Sequence, residues 1–125
     1  GSRYYMVAYV DDIMVGYAGL MFSGDDAHIT NIAVDPEWQG RGVATEMMLD
    51  LALLAHERGC DAMTLEVRHT NTAAQQLYRR FGFVPAGVRK RYYENTDDAI
   101  IMWAHGVNTT EFVDRLRLIE SRRPV

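Results

Sequence analysis

The sequence has few of the features that mark secreted, membrane or nucleic-acid-binding proteins. It holds one cysteine, Cys60, in 125 residues, which excludes an internal disulfide and favours a reducing compartment. No apolar run approaches the ~18 residues that a membrane-spanning helix needs. The net charge of −4 argues against broad binding to nucleic acid or a membrane surface, although the basic cluster at 89–91 could meet an anion. These absences predict a soluble, cytoplasmic protein in which Cys60 is a buried small hydrophobe.

Several signatures of enzyme sites are also missing. No histidine, cysteine and acid cluster has metal-ligand spacing, so no metal is predicted, and no serine, histidine and acid set suggests a hydrolase. There is no Gly-x-x-x-x-Gly-Lys-Ser/Thr motif, and Thr45 stands where a dinucleotide fingerprint needs its third glycine. Without repeats or low-complexity tracts, a chain of 125 residues is expected to form one core.

The elements that are present follow a mixed order. Apolar alternation and turn residues predict strands, at residues 4–10, 13–22, 27–34, 62–68, 83–93 and 99–104. Apolar residues at helical spacing predict helices, at residues 42–58, 72–81 and from 108 onward. The predicted fold class is therefore α/β (α+β), with a single mixed, mostly antiparallel sheet flanked by helices. Because side chains alternate along a strand, Glu66 points away from the Leu65 face.

A glycine-rich loop lies between the third strand and the first helix. It reads Gln39-Gly40-Arg41-Gly42-Val43-Ala44, so its amides stand at a helix N-terminus, where free donors and partial positive charge favour phosphate. Glycines there let the backbone approach an anion closely. The alternative is an ordinary strand-to-helix connection.

Several motifs in order resemble one family. Residues 31–36 followed by the glycine loop are similar to the acetyl-CoA motif of the GNAT superfamily. The second half of its cofactor site is resembled by Leu65-Glu66-Val67-Arg68, Asn71, Ala73-Ala74, Leu77-Tyr78 and Phe81-Gly82-Phe83. Arg91-Tyr92-Tyr93 resembles the substrate hairpin of RimI-type and eukaryotic N-terminal acetyltransferases. The resemblance runs from about residue 4 to residue 104 and implies a GNAT fold and an acetyl-CoA-dependent N-acetyltransferase.

The resemblance implies how acetyl-CoA binds. The pantetheine arm would pair with the main chain of Ile32, Ala33 and Val34 beside a strand bulge, and the Val34 amide would face the thioester oxygen. The pyrophosphate would rest on the amides of Gln39, Gly40, Arg41, Gly42, Val43 and Ala44. Arg41 would add charge, and Asn71 would hold the pantetheine arm.

Two residues are the candidates for catalysis. Glu66 is the predicted base, because an α-amine is largely protonated near pH 7 and must lose a proton to attack. The alternative is a strand carboxylate paired with an arginine across the sheet. Tyr78 lies where the family places a general acid for the departing thiolate, while its helical stripe also suits a core aromatic. His69 is a reserve base, and the other histidines are predicted to lie on the surface.

The acceptor is predicted from Tyr92 and Tyr93. In N-terminal acetyltransferases a tyrosine pair at this hairpin resembles a clamp on a peptide backbone, which implies acetylation of a protein N-terminal α-amine of the ribosomal-protein-alanine type. Two strand aromatics without such a role are the alternative. Acetylation of a lysine side chain or small amine, and a non-catalytic acyl-CoA-binding module, remain open.

The two ends of the chain are interpreted separately. Residues 1–2 resemble a cloning remnant, 3–106 form the acetyltransferase domain and 107–125 a C-terminal helical tail, with Asn108 and Glu111 spaced as a capping box. The family usually opens with a strand and two helices, which are predicted to be absent here. The tail's apolar stripe either packs on the sheet or forms a partner surface. An alternative is that this helix, or another chain, covers the sheet face left exposed, and a homo-oligomer through the helix or that face is left open. The stripe comprises Phe112, Val113, Leu116 and Ile119.

Overall fold

The computed structural model describes residues 2–93 and 97–122, and at 91–93 it describes the backbone alone. These residues form one six-stranded sheet and three α-helices. The strands are β1 (Arg3–Val10), β2 (Ile13–Ser23), β3 (Asp26–Val34), β4 (Ala62–Arg68), β5 (Val84–Tyr93) and β6 (Asp97–His105). The helices are α1 (Val43–Glu57), α2 (Thr72–Arg80) and α3 (Thr110–Arg122), and a short 3-10 turn covers Pro36–Trp38. In these residues no helix is both long and apolar enough to cross a membrane.

The sheet has the strand order β1-β2-β3-β4-β6-β5. Its neighbouring strands run antiparallel except β3 and β4, whose parallel pairing follows from the crossover through α1. The predicted mixed, mostly antiparallel sheet is therefore confirmed. The 3-10 turn was not predicted, and β6 extends beyond the predicted 99–104 at both ends.

Helix α1 begins and ends at glycines in the left-handed conformation. Gly42 has φ 86° at the N-cap, and Gly59 has φ 74° just after the last turn. Between them, residues three and four apart bury one face of the helix against the sheet. The buried residues are Met47, Met48, Leu49, Leu51, Ala52 and Ala55.

All three helices pack on one face of the sheet. Strand residues that are register partners share a face, and partners such as Ala27 with Met63 and Leu65 with Met102 belong to one core with Tyr78 of α2 and with α3. The opposite face of β1 and β2 exposes large side chains. These are Tyr5, Val7, Tyr9 and Tyr17.

Helix α3 is part of this core. Its residues Phe112, Leu116 and Ile119 are buried, so the apolar stripe packs inside the domain. The expected alternative, in which this helix covers the exposed sheet face, is wrong, because α3 lies with α1 and α2 on the other face.

The predicted capping box at the start of α3 is also wrong. Thr109 Oγ1 accepts from the Phe112 amide at 3.3 Å, while the Asn108 side-chain amide donates to Asp61 Oδ1 at 2.8 Å. The Asn108 side chain, which sequence spacing assigned to the cap, therefore binds Asp61 on the loop before β4 instead.

Cys60 is buried, 4% exposed, between α1 and β4. Burial raises the pKa of its thiol, and the negative charge of Asp26 raises it further. The predicted role as a small hydrophobe is confirmed.

Candidate active site

The sheet opens between β3 and β4. The two strands pair only from Asp26–His28 of β3 to Ala62–Thr64 of β4. Among the described residues, the remainder of β3 therefore has no hydrogen-bonded neighbouring strand on that side. A bulge sits where the opening begins, because Gly19 pairs with Asn31 while Leu20 pairs with Ile29, which leaves Thr30 as the extra residue. Because a bulge bends its strand, it accounts for the end of the pairing with β4 after His28.

Main-chain groups of β3 face this opening. The Asp35 amide donates to Val15 O at 2.8 Å, and alternation along an antiparallel pair then assigns the main chain of Ala33 to Tyr17 of β2. The main chain of Ile32 and Val34 therefore points the other way, toward the gap. Gln39 Nε2 donates to Val34 O at 3.2 Å, and the Val34 N–H is directed into the opening.

The glycine loop continues from this strand end into α1. Gly40 and Gly42 have φ 78° and 86°, and apart from the adjoining residues no described atom lies within 4 Å of where a Cβ would stand on either. Glycine is therefore favoured at both positions because of the positive φ angle, and not because a side chain would lack space. The first helical bond runs from the Glu46 amide to Gly42 O, which leaves the amides before Glu46 without helical acceptors. The guanidinium of Arg41 lies 4.7 Å from the Trp38 ring centroid.

A groove of about 900 Å³ runs along this loop between α1 and α2. Helix α2 contributes Ala73, Gln76, Leu77 and Arg80, which share one face because residues three, four and seven apart stack on a helix. The full lining comprises Ile32, Val34, residues 38–45, Asn71, Ala73, Ala74, residues 76–78, Arg80 and Arg122.

The groove brings together most of the residues that the sequence singled out. Every predicted cofactor-binding residue lines it except Ala33, whose main chain faces β2, and Tyr78 lines it as well. Glu66 lies outside the lining, and the side chains of Tyr92 and Tyr93 lie outside the described part of the chain. Sequence reasoning missed five lining residues. They are Trp38, Thr45, Gln76, Arg80 and Arg122.

Asn71 is the N-cap of α2, a role that asparagine commonly takes at helix starts. Its Oδ1 accepts from the Ala74 amide at 3.1 Å, which satisfies one free amide of the first turn. The cap also fixes the side chain at the edge of the groove.

Glu66 points away from the helical core, as predicted. Its Oε1 lies 2.7 Å from Arg89 Nη2 of β5, and its side chain is 16% exposed. The pairing with an arginine across the sheet, the alternative considered for this residue, is therefore present in the structure. Such a pair holds the carboxylate in one orientation on the sheet face that carries no helix, and it does not exclude proton transfer through water.

Tyr78 lies between the hydrophobic core and the groove. It is 6% exposed, and its ring centroid lies 6.1 Å from that of Phe83 at a tilted angle, which is a favourable aromatic geometry. It belongs to the hydrophobic core and also lines the groove. A buried ring that borders a cleft is well placed to present its hydroxyl there.

His69, the reserve base, lies just beyond β4. Its Nε2 is 3.9 Å from Asp97 Oδ1, and Arg68 Nε is 3.6 Å from Asp97 Oδ2. Two predicted surface histidines are half-buried instead. His28 Nδ1 is 2.7 Å from Thr64 Oγ1, and His56 Nδ1 is 2.8 Å from Val107 O.

In the part of the chain that the structure describes, no three histidine, cysteine or acidic side chains are placed to hold a metal ion.

Comparison with known proteins places these features in a family. Residues 1–83 match the model of the acetyltransferase (GNAT) family. The chain belongs to the GNAT acetyltransferase family. This acetyltransferase is 39% identical over 106 residues to a Salmonella typhimurium protein named ribosomal protein bS18-alanine N-acetyltransferase, covering 82% of this chain and 72% of that protein.

Similarity to solved structures supports the membership of this chain in the GNAT family. The crystal structure of the Escherichia coli ribosomal-protein-S18-alanine N-acetyltransferase has a TM-score of 0.77 and 33% identity, with 83% of this chain and 69% of that chain covered. The crystal structure of nourseothricin acetyltransferase has a TM-score of 0.76 and 31% identity, with 83% of this chain and 65% of that chain covered. The GNAT fold, including its six-stranded mixed sheet and three helices over the described residues, is confirmed.

Proposed function

We propose that this GNAT acetyltransferase moves the acetyl group of acetyl-CoA to the N-terminal α-amine of a protein, of the ribosomal-protein-alanine type. The single observation that carries the proposal is the continuity of the β3–β4 opening, the glycine loop and the groove beside Tyr78. The names of the Salmonella and E. coli relatives support the choice of acceptor.

Each part of the donor meets a suitable surface in this arrangement. The diphosphate rests on the amides of the glycine loop at the start of α1, where unpaired N–H groups and the helix dipole favour negative charge. The pantetheine arm lies along the open edge of β3 and pairs with the outward-facing main chain of Ile32 and Val34. Asn71 borders the same path from α2. The thioester then reaches the gap between the two strands.

The reaction proceeds by direct attack in this proposal. The neutral amine nitrogen forms a bond to the acetyl carbon, and the Val34 N–H stabilises the negative charge that develops on the thioester oxygen. Glu66 accepts the amine proton, directly or through water, and the C–S bond then breaks. Tyr78 donates a proton to the departing thiolate, so the products are the acetylated amine and CoA with a free thiol.

The acceptor in this proposal is a peptide that binds at the hairpin of β5 and β6. Tyr92 and Tyr93 are proposed to clamp the backbone of the first residues of the peptide. The amine is proposed to approach from the sheet face that carries the Glu66 and Arg89 pair. A second acceptor class, a lysine side chain or small amine, is favoured by the similarity to nourseothricin acetyltransferase, a GNAT enzyme whose name denotes a small-molecule acceptor.

The test is release of CoA thiol from acetyl-CoA with three acceptors. These are a peptide beginning Ala-Arg, the same peptide blocked at its N-terminus and carrying a lysine, and nourseothricin. We expect release with the free-amine peptide alone. Release with either of the others alone would replace the proposal by the second acceptor class.

A variant separates an enzyme from a non-catalytic acyl-CoA-binding module. Tyr78→Phe keeps the ring that packs on Phe83 and removes the hydroxyl, so turnover should fall by ~10²-fold or more while acetyl-CoA affinity is kept. Tyr4→Phe, on the outer strand β1 and outside the groove lining, is the matched control and should leave turnover unchanged. Acetyl-CoA binding without thiol release from any acceptor would indicate the module.

A further inference from the structure

The groove is basic although the chain is acidic. Of the residues that the structure describes, Arg41, Arg80 and Arg122 are the charged ones in its lining, and no described aspartate or glutamate lines it. The whole chain, by contrast, has a net charge of −4. None of these three arginines forms an ion pair with a carboxylate in the described residues. Concentrating unpaired positive charge in a cleft raises its affinity for an anionic ligand.

Arg41 belongs to the glycine loop, but Arg80 and Arg122 stand apart from it. Arg80 is nine residues along α2 from the Asn71 cap, which corresponds to ~13 Å at the α-helical rise. It follows Ala73 and Gln76 on the helix face that borders the groove. A second charge site therefore lies at the far end of α2 from the predicted pantetheine contact.

Arg122 is delivered to the same groove by α3. Arg115 Nη1 donates to Arg80 O at 3.3 Å, so this side of α3 faces the C-terminal end of α2. Residues seven apart on a helix lie almost in line, and Arg122 consequently faces the same side two turns further on. The buried residues Phe112, Leu116 and Ile119 hold α3 in this position.

The chemistry of the donor supplies a match for this second site. Acetyl-CoA carries a diphosphate and, separately, a monoester phosphate on the 3′-oxygen of its ribose. The loop amides and Arg41 offer the diphosphate hydrogen-bond donors and a positive charge. Guanidinium groups bind a phosphate monoester through paired, charge-assisted hydrogen bonds, which require two or more acceptor oxygens in one plane.

We infer that Arg80 and Arg122 form an anion subsite for the 3′-phosphate of the acetyl donor, so that the enzyme selects CoA thioesters over their 3′-dephospho forms. The inference rests on the proposed donor, acetyl-CoA. It makes Arg122 of the C-terminal helix a specificity-determining residue, although α3 lies outside the part of the chain that matches the family model.

The experiment measures the dissociation constants of acetyl-CoA and acetyl-3′-dephospho-CoA by calorimetry. For the unmodified protein, loss of the 3′-phosphate should weaken binding by roughly 10- to 100-fold, as expected for charged hydrogen bonds. Arg80→Gln and Arg122→Gln should each weaken acetyl-CoA binding by about tenfold and leave binding of the dephospho ligand unchanged.

Neighbouring arginines provide matched controls. Arg79→Gln changes the adjacent α2 residue, which does not line the groove, and Arg117→Gln changes an exposed α3 residue paired with Asp114. Both should bind the two ligands as the unmodified protein does. Thermal melting of all four variants checks that each remains folded.

Three results would overturn the inference. Two of them would leave acetyl-CoA as the proposed donor, and the third would not. Equal affinity for the two ligands, or a 3′-phosphate preference that survives both groove variants, would remove the subsite while the proposed donor stands. Absence of acetyl-CoA binding by the unmodified protein would remove the proposed donor as well.

Discussion

Glu66 and Arg89 lie on strands that are not neighbours, yet their side chains meet at 2.7 Å. Strand β6 runs between them, with Ile101 opposite both Glu66 and Gly87. The pair joins β4 to β5 on the face that carries no helix. Glu66 therefore has a structural role through its ion pair with Arg89, and it is also the candidate base of the proposed reaction.

Glu66→Gln separates these two roles. The variant keeps the size of the side chain and removes its ability to accept a proton, so kcat should fall by ~10²-fold or more. Because Glu66 does not line the groove, acetyl-CoA affinity should remain unchanged. Steady-state kinetics and calorimetry provide the two measurements.

Arg89→Gln is the control for the ion pair. The Arg89 side chain is 52% exposed, so the pair should contribute no more than ~1 kcal/mol to stability. If the carboxylate acts only through this pair, the two variants will show the same small change in melting temperature and the same turnover.

Gly42→Ala should weaken acetyl-CoA binding and also destabilise the fold. An alanine at φ 86° costs ~1–2 kcal/mol, and relief of that strain would turn the amides of the loop away from the phosphate. Gly24, in the turn between β2 and β3, also has positive φ and open space around it. Gly24→Ala should therefore lower stability similarly without changing the dissociation constant. Equal binding by both variants would show that the loop does not hold the donor.

Helix α3 should contribute strongly to stability. Leu116 is 5% exposed in the core, and Leu116→Ala should lower the free energy of unfolding by ~2–5 kcal/mol through lost burial and a residual cavity. Leu118 is 51% exposed on the same helix, so Leu118→Ala should change it by less than ~0.5 kcal/mol. Urea unfolding measures both. Equal effects would mean that α3 does not dock as described.

Cys60 should make stability fall at alkaline pH. Its raised pKa means that the folded state keeps the thiol proton to a higher pH than the unfolded state does. The contribution is fully present below the unfolded pKa and is lost as pH rises through the folded pKa. Cys60→Ala should flatten this slope in urea unfolding between neutral and alkaline pH, and an unchanged slope would contradict the assignment.

Much of the fold could be predicted because its elements follow local patterns. Strand β4 occupies the predicted residues 62–68, and α1 and α2 differ from the prediction by a residue at their ends. Alternation, helical spacing and terminal glycines depend on neighbours in sequence, and so does the Asn71 cap. The Asn108 cap failed because Asp61, distant in sequence, binds that side chain.

The sequence alone determined the order of elements, the glycine loop and the family motifs, since each is written in residues close together along the chain. Tertiary structure decided which distant side chains meet. The partner of Glu66 depends on the register of three strands, and Arg122 reaches the groove because the buried face of α3 sets the direction of the helix. Such contacts depend on the packing of whole elements, for which local spacing carries no signal.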